Sequence, residues 1–286
     1  MSETLFGYTE AFGAEPSDPD IRDYKIAKES IKTEFPERFE LEMPRVKNQG
    51  SVGSCVAHSI ALVAEYFNKI QHNDDTELSV GYIYGNRVFP MSDTKGMVTR
   101  FAISNFCADG TPSKEAFPDH CEVPEIIKLV EAKKDELHDT ATNCRFTSYL
   151  NVKTEAEMKT ALMDGNPIIA AVDWYGDIIV NKNDVVESKL KVTAGGHAIV
   201  IYGWDENGWK FQNSWGPYWG KDGRATWPYD YKIREHYAIV DLDDSELIIQ
   251  KPFKAKTKLG RFVVRLFNKA FAWGYQLGMK IKNKKA

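Results

Sequence analysis

The pattern of apolar and polar residues follows a helical spacing in the first half of the chain. Most positions from 56 to 67 are apolar and recur at the period of an α-helix, which predicts a largely buried helix. A loop rich in Gly and Ser precedes it, with Ser51 and Ser54 as candidate N-caps. Weaker helical patterns follow over residues 78–87, 97–106 and 122–138, the last rich in Glu and Lys.

The second half of the chain has the period of β-strands. Residues 145–152 alternate, residues 166–174 form an apolar run, and Thr154 starts a short helix between them over Glu155–Met163. The run from 197 to 211 is split by a turn at Asp205-Glu206-Asn207-Gly208, which predicts a hairpin, and further strands are predicted over 224–231 and 236–242. A helical first half and an antiparallel second half indicate an α+β fold.

Composition adds few constraints. With 286 residues and 43% apolar content, the chain can bury a sizeable core. No apolar run in the body is long enough to span a bilayer, and the first residues show no signal peptide. The four cysteines, Cys55, Cys107, Cys121 and Cys144, have no zinc spacing, although a bond between Cys107 and Cys121 stays open. We expect a cytoplasmic or other reducing compartment.

Three separated residues are candidates for nucleophilic chemistry. Cys55 lies at the start of the predicted helix, where the helix dipole and unpaired N–H groups favour a thiolate. The predicted hairpin would place His197, at the start of its first strand, beside Asn213 at the end of its second. A nucleophile, a base and a group that orients the base are thus all present. The alternative for Cys55 alone is a small buried residue packed at a helix start.

The surrounding motifs resemble those of papain-like cysteine peptidases. The sequence Gln49-Gly50-Ser51-Val52-Gly53-Ser54-Cys55 is similar to the nucleophile motif of that family. Gly196-His197-Ala198 and Asn213-Ser214-Trp215-Gly216 are similar to its His and Asn motifs, in the same order. The resemblance covers roughly residues 44–243. It implies a two-lobe fold, with a helical left lobe, an antiparallel β-barrel-like right lobe and the active site in the cleft between them.

The same resemblance implies roles for individual residues. Cys55 would be the nucleophile, His197 its acid–base partner and Asn213 the group that holds the imidazole. Gln49 would donate to the oxyanion together with the Cys55 backbone N–H. Substrate contacts would fall to Gly96, Gly196 and Trp215. The substrate would be a polypeptide, and neither a metal nor an organic cofactor is implied.

Several features depart from the family pattern. Val56 replaces the usual Trp, and Val52 replaces a Cys that forms a disulfide in secreted members, which favours a reducing compartment. Residues 1–43 are too short for the family's helical propeptide. We expect an ordered or loose arm on the protein surface, and the alternative of a shorter extension that packs on the body or lies near the cleft stays open. His58, one turn after Cys55, is a rival base, but the sequence offers it no orienting partner and we interpret it as a packing residue.

The motifs divide the chain into four parts. They are an N-terminal extension (1–43), a helical lobe with the nucleophile (44–145), a β-rich lobe with His and Asn (146–245) and a C-terminal tail (246–286). The last 36 residues hold eleven Lys and Arg and no acid. Such a basic, aromatic-rich amphipathic segment suits docking on its own body or on a protein partner, or association with a membrane surface or a virion. Aromatic crowding argues against nucleic acid.

The function that fits these observations is hydrolysis of peptide bonds through a thioester acyl-enzyme. Two alternatives stay open. A cysteine-dependent acyl or peptidyl transferase would use the same groups but pass the acyl group to an amine. A non-catalytic structural component, for example of a virus particle, would keep the site only as a scaffold, although the complete set of four catalytic residues argues against it.

Overall fold

The computed structural model describes residues 12–18, 20, 23–87, 96–119, 121–122 and 125–241. All of them belong to one compact unit. The tail predicted over 246–286 lies outside the described residues. Within the described ranges, every helix is too short or too polar to cross a bilayer.

Helices dominate the part of the chain that follows Cys55, the candidate nucleophile. The described helices are α1 (Cys55–His72), α2 (Val80–Gly85), α3 (Thr99–Asp109), α4 (Ile126–Thr142) and α5 (Glu155–Met163). Every residue of α1 from Cys55 to Phe67 is buried, as the nearly uniform apolar pattern predicts. The predicted start of α5 is confirmed, because the Thr154 side chain and Glu157 form a capping box there. The predicted helix over 97–106 begins two residues late, since Met97–Val98 is a strand.

The strands form one large antiparallel sheet and two small pairs. They are β1 (Ala14–Glu15), β2 (Phe39–Glu40), β3 (Met97–Val98), β4 (Ser148–Asn151), β5 (Ile168–Tyr175), β6 (Ile179–Val180), β7 (Val186–Glu187), β8 (Thr193–Asp205), β9 (Gly208–Gln212), β10 (Arg224–Pro228) and β11 (Ile233–Val240). The large sheet runs β10-β9-β8-β5-β11-β4, with β2 added to β8. Among the described strands its two ends do not meet. The sheet is therefore open, and the barrel-like lobe expected from the family is not a closed barrel.

Two hydrophobic clusters pack against this sheet. One surrounds α1 and includes Val200 and Tyr202 of β8. The other lies between the sheet and α5 and includes the fully buried Trp204 and Trp227. Ile199 and Ile201 also belong to the second cluster, so alternate residues of β8 over 198–202 face different clusters. This strand runs through the middle of the structure, and it carries His197.

Candidate active site

Cys55 is the first residue of α1 and is completely buried. Ser54 occupies the N-cap position, but its side chain makes no cap hydrogen bond. Its hydroxyl lies 3.2 Å from Nδ1 of His58 instead. Burial raises the pKa of the Cys55 thiol to about 11, and backbone hydrogen bonds at Ala198 and Gly13 oppose that rise only in part. The thiol is therefore neutral at pH 7, although a helix N-terminus alone would favour the thiolate.

His197 and Asn213 meet as the predicted hairpin requires. Strands β8 and β9 pair in an antiparallel register that aligns Val200 with Gln212, so residues 197 and 213 lie beside each other. The His197 Nε2 and Asn213 Oδ1 atoms are 2.7 Å apart, and both side chains are buried. Asn213 Oδ1 also accepts the backbone N–H of Ser214 at 2.8 Å. The second contact fixes which end of the amide faces the imidazole.

The imidazole is also neutral in this structure. Burial lowers the pKa of His197 to about 4, and the hydrogen bond with Asn213 offsets only part of that effect. Nδ1 is buried and has no hydrogen-bond partner in the part of the chain that the structure describes. Both groups are shielded from water, which favours their neutral forms.

Tryptophan rings enclose the His197–Asn213 pair. The Trp215 ring lies over the imidazole with 4.7 Å between centroids and a 33° tilt. The Trp174 ring meets it edge-on at 5.1 Å. Their apolar faces keep water from the hydrogen bond, which strengthens it by lowering the local dielectric. Trp215 was predicted from the Asn motif. Trp174 was not predicted to be near the site. Its position opposite Gly195 follows from the pairing of β5 with β8, which local sequence patterns do not indicate.

Gln49 is held in place by the residue that follows Asn213. The Ser214 hydroxyl donates to Gln49 Oε1 at 2.5 Å, and the Gln49 Nε2 donates to the carbonyl of Val52 at 2.8 Å. The backbone N–H of Gln49 also donates to the Ser214 carbonyl at 2.8 Å. The side chain is buried. Ser214 therefore orients Gln49, which is distant in sequence. The sequence motifs assigned no role to Ser214.

The two glycines predicted to contact substrate both lie where a side chain has no room. A Cβ on Gly96 would be 2.7 Å from the Gly13 carbonyl oxygen, and one on Gly196 would be 2.1 Å from the Ala14 carbonyl oxygen. Both glycines therefore allow an extended backbone to approach closely. The backbone at these positions is that of the chain's own residues 13 and 14. Gly96 precedes a strand and is not a helix-start glycine.

His58 does not compete with His197 for the thiol. Its Nδ1 lies 3.0 Å from the Ser54 carbonyl oxygen, within its own helical turn. Burial lowers its pKa to about 4. These contacts agree with the packing role expected for it. Cys107, Cys121 and Cys144 are free thiols, so the disulfide left open between Cys107 and Cys121 does not form in this structure.

Comparison with known proteins identifies the family. The family model described as papain family cysteine protease matches residues 32–236. This chain belongs to the papain family of cysteine proteases. The resemblance found in the motifs is thereby confirmed, and the matched range begins before Pro44, inside the N-terminal extension.

Relatives are distant but cover most of the chain. An uncharacterized peptidase C1-like protein of Acanthamoeba polyphaga mimivirus is 28% identical over 79% of this chain and 84% of its own length. The viral cathepsin of Adoxophyes honmai nucleopolyhedrovirus is 25% identical over 69% of this chain, which spans 58% of that protein. These similarities support a cysteine-type peptidase.

Solved structures show the same fold. Xylellain, a cysteine protease from Xylella fastidiosa, superposes with a TM-score of 0.69 at 24% identity, covering 82% of this chain and 97% of its own. ProCathepsin B from Trypanosoma congolense gives a TM-score of 0.62 at 18% identity, covering 81% of this chain and 86% of its own. The α+β papain fold predicted from the sequence is confirmed, with an open sheet in place of a barrel.

Over residues 12–15 the structure favours the second placement considered for the N-terminal extension, which packs on the body near the site. Residues 12–15 of this papain-family chain lie directly against the site. The Phe12 ring is 6.2 Å from the His197 ring and 6.3 Å from the Trp215 ring, and Gly13 and Ala14 are buried. The apolar ring of Phe12 and the absence of a side chain at Gly13 allow this segment to pack closely against the site. This segment is what closes the site to water.

Proposed function

We propose that this chain hydrolyses peptide bonds, with Cys55 as nucleophile and His197 as its general base and acid. The observation that carries the proposal is the 2.7 Å contact between Asn213 Oδ1 and His197 Nε2. Since that oxygen already accepts the Ser214 N–H, it is an acceptor and Nε2 must be the protonated nitrogen. The lone pair of the neutral ring is then on Nδ1. Only this tautomer can take a proton from a thiol on that side.

The reaction follows from these assignments once substrate occupies the site. The Cys55 proton passes to His197 Nδ1 as the sulfur attacks the substrate carbonyl carbon. The tetrahedral intermediate collapses when its C–N bond breaks, and the imidazolium gives its proton to the departing amine. Water then adds to the thioester with His197 again accepting a proton. The C–S bond breaks, the acid product leaves and the thiol is restored.

Gln49 and the backbone N–H of Cys55 are the proposed donors to the oxyanion. The Ser214 hydroxyl holds Oε1 of Gln49, so the amide nitrogen is presented on the side of the 50–55 loop, where it contacts the Val52 carbonyl. A donor fixed before the reaction stabilises developing charge without having to reorganise. Removing one such donor lowers turnover by about 10²–10³-fold in other enzymes.

Extended polypeptide is the proposed substrate. The backbone N–H of Met97 donates to a peptide carbonyl, that of Gly13, at 2.7 Å. Strand β3 pairs with an extended segment over two residues. A substrate strand could use the same edge, because β-augmentation needs only main-chain groups. The bare backbones of Gly96 and Gly196 leave room for it, and Trp215 covers the imidazole at the other side.

Labelling with a mechanism-based thiol probe tests the proposal. The full chain, Cys55→Ala, His197→Ala and the matched control Cys144→Ala would be incubated with an epoxysuccinyl probe, and cleavage of an unfolded protein would be followed in parallel. We expect labelling and cleavage in the wild type and the control, and neither in the two site variants. Equal labelling of Cys55 in wild type and His197→Ala, with no cleavage in either, would overturn the proposal. Product analysis with an added amine distinguishes hydrolysis from acyl transfer.

A further inference from the structure

Arg234 of strand β11 carries a guanidinium group that lies beside the candidate active site. We propose that Arg234 is a specificity-determining residue, which favours substrates with an acidic side chain at the position beside Gly196 and disfavours those with a basic one. This inference rests on the proposed function and deepens it, because it assigns a chemical class to one substrate side chain. The sequence motifs assigned no role to Arg234, since it lies outside all of them.

A β-bulge places the Arg234 side chain. In the antiparallel pairing of β11 with β5, Ile233 is opposite Val172 and Glu235 is opposite Ala171. Neighbouring residues of β5 therefore oppose residues two apart on β11, and Arg234 is the extra residue between them. A bulge interrupts the regular alternation of side chains and changes the direction of the extra one, and bulges are over-represented next to active sites.

The guanidinium reaches across β5 to the strand that carries His197. Its Nη2 donates to the Val172 carbonyl at 3.3 Å, and its Nε lies 3.2 Å from Asp173 Oδ1. Asp173 is opposite Gly196 in the pairing of β5 with β8. A Cβ on Gly196 would be 2.1 Å from Nη2 of Arg234, so the absence of a side chain at Gly196 makes room for the guanidinium. This cation therefore lies next to the residue that precedes His197.

The guanidinium is accessible, and not all of its donors are used. The Arg234 side chain is 20% exposed. Its Nη2 donates to the Ala14 carbonyl at 3.0 Å, so an oxygen atom of an extended polypeptide already lies against it. Within the described part of the chain, its Nε is buried and makes no hydrogen bond. The group can therefore bind a stronger acceptor than the neutral carbonyl that it contacts in this structure.

A carboxylate is the substrate group that fits this donor best. It can accept two parallel N–H groups from one guanidinium, and its hydrogen bonds are roughly twice as strong as those between neutral partners. The side chain of Gln offers an oxygen without a charge, so it should bind more weakly. The ammonium group of Lys would be repelled by the guanidinium and would leave its N–H groups without an acceptor.

Two carboxylates of the protein lie near Arg234 and affect the size of the preference. Those of Glu235 accept the Ser17 N–H and, at 2.7 Å, the Ser17 hydroxyl, so both of its oxygens are already used. Asp173 stays beside the guanidinium and offsets part of its charge. Replacing Asp173 by Asn keeps the size of the side chain and removes that charge, which should increase the preference for an acidic substrate.

The test measures cleavage of matched peptides by variants of the full chain. One internally quenched peptide is varied with Glu, Gln or Lys at each of the three positions before the cleaved bond. In wild type we expect kcat/KM at one position to be about tenfold higher for Glu than for Gln, and lowest for Lys. Arg234→Met should remove this preference and Arg234→Glu should reverse it towards Lys, which damage to the fold cannot do. The matched control Arg38→Met, which replaces an exposed arginine, should keep it.

Binding is measured separately from cleavage. Cys55→Ala keeps Arg234 but has no nucleophile, and fluorescence anisotropy gives its affinity for the labelled Glu and Lys peptides. The same measurement is made on the double variant Cys55→Ala, Arg234→Glu. Residues 12–15 lie against the site for every peptide alike, so the ratio of the two affinities reports the varied side chain.

Each outcome decides one proposal or both. Cleavage by wild type with the same ranking of peptides in Arg234→Glu would overturn the role of Arg234 and leave the proposed function standing. No cleavage by wild type, with tighter binding of the Glu peptide that Arg234→Glu reverses, would overturn the proposed function and leave the selectivity of Arg234 standing. Neither cleavage nor a charge preference in binding would overturn both.

Discussion

The Ser214 hydroxyl lies 2.5 Å from Gln49 Oε1 and so connects the two halves of the site. Its neighbour Asn213 holds His197 through Nε2. Asn213 and Ser214, which are consecutive in sequence, therefore orient the proposed acid–base residue, His197, and the proposed oxyanion donor, Gln49. Any shift of the loop after β9 would disturb both at once.

Ser214→Ala should lower kcat by roughly 10-fold while KM changes little, because a freed amide must be oriented anew in each transition state. Ser214→Thr, which keeps the hydroxyl, is the matched control and should retain most of the activity. Steady-state kinetics on one peptide substrate measures both. Residues 12–15 lie against the site in wild type and variants alike, so the ratio of kcat values reports the effect of the substitution on the site. An unchanged kcat in Ser214→Ala would show that Gln49 needs no orientation.

Asn213→Ala should reduce kcat by roughly 10²-fold or more, because Nε2 loses its acceptor and the imidazole can adopt the wrong tautomer. The isosteric Asn213→Asp places a negative charge beside the ring and should raise the pKa of His197 by about one to three pH units. The pH dependence of kcat/KM measures that shift. A profile that is the same in Asn213→Asp and in wild type would argue that residue 213 does not contact the working imidazole.

Local sequence patterns were sufficient for the parts of the fold that local chemistry determines. Thr154 starts α5 as predicted, where it forms a capping box with Glu157, and the turn that begins at Asp205 places His197 beside Asn213. In both cases the partners are close in sequence or are aligned by one hairpin. The helix predicted over residues 97–106 was wrong at residues 97–98, because these two residues pair with β1 as a strand.

The sequence motifs indicated candidate site residues but not the surroundings of those residues in the fold. Motifs identified Cys55, His197, Asn213 and Gln49, yet the ionisation of Cys55 and His197 depends on burial by Phe12 and its neighbours. Nothing in the pattern of residues 1–43 shows that the extension enters the site, because the contacts of Gly13 are to backbone atoms. Ser214 and Trp174 were missed for a related reason. Their roles come from strand register and loop packing and not from a side-chain type.

Acid should destabilise this fold through two buried histidines. Burial lowers the pKa of both His58 and His197 from 6.5 to about 4. The folded state therefore holds them neutral, and their contribution is fully present above pH 6.5 and is lost as the pH falls towards 4. By pH 5 we expect a loss of roughly 2 kcal/mol for each histidine in the free energy of unfolding.

Urea unfolding at pH 7, 6 and 5 measures this effect in a range where ordinary carboxylates stay ionised. His58→Asn keeps a donor near Ser54 but cannot be protonated, so its stability should fall less steeply between pH 7 and 5 than that of wild type. Part of the slope remains, because burial also lowers the pKa of His197 and of His236. An identical slope in the two proteins would mean that His58 does not titrate as its burial implies. The comparison separates this histidine from all other acid-sensitive groups.

A buried ion pair connects the segment before Cys55 to helix α1. Lys47 Nζ and Glu65 Oε1 are 2.6 Å apart with side chains 10% and 6% exposed, and the same oxygen accepts the Leu78 N–H at 2.8 Å. Glu65→Ala leaves a lysine buried without its partner, which should reduce the free energy of unfolding by about 3–5 kcal/mol. The double variant Lys47→Met, Glu65→Leu removes both charges and should recover part of that loss, because two apolar side chains need no partner. Urea unfolding of Lys47→Met, of Glu65→Leu and of the double variant measures the coupling. A loss equal to the sum of the single losses would show that the two residues act independently.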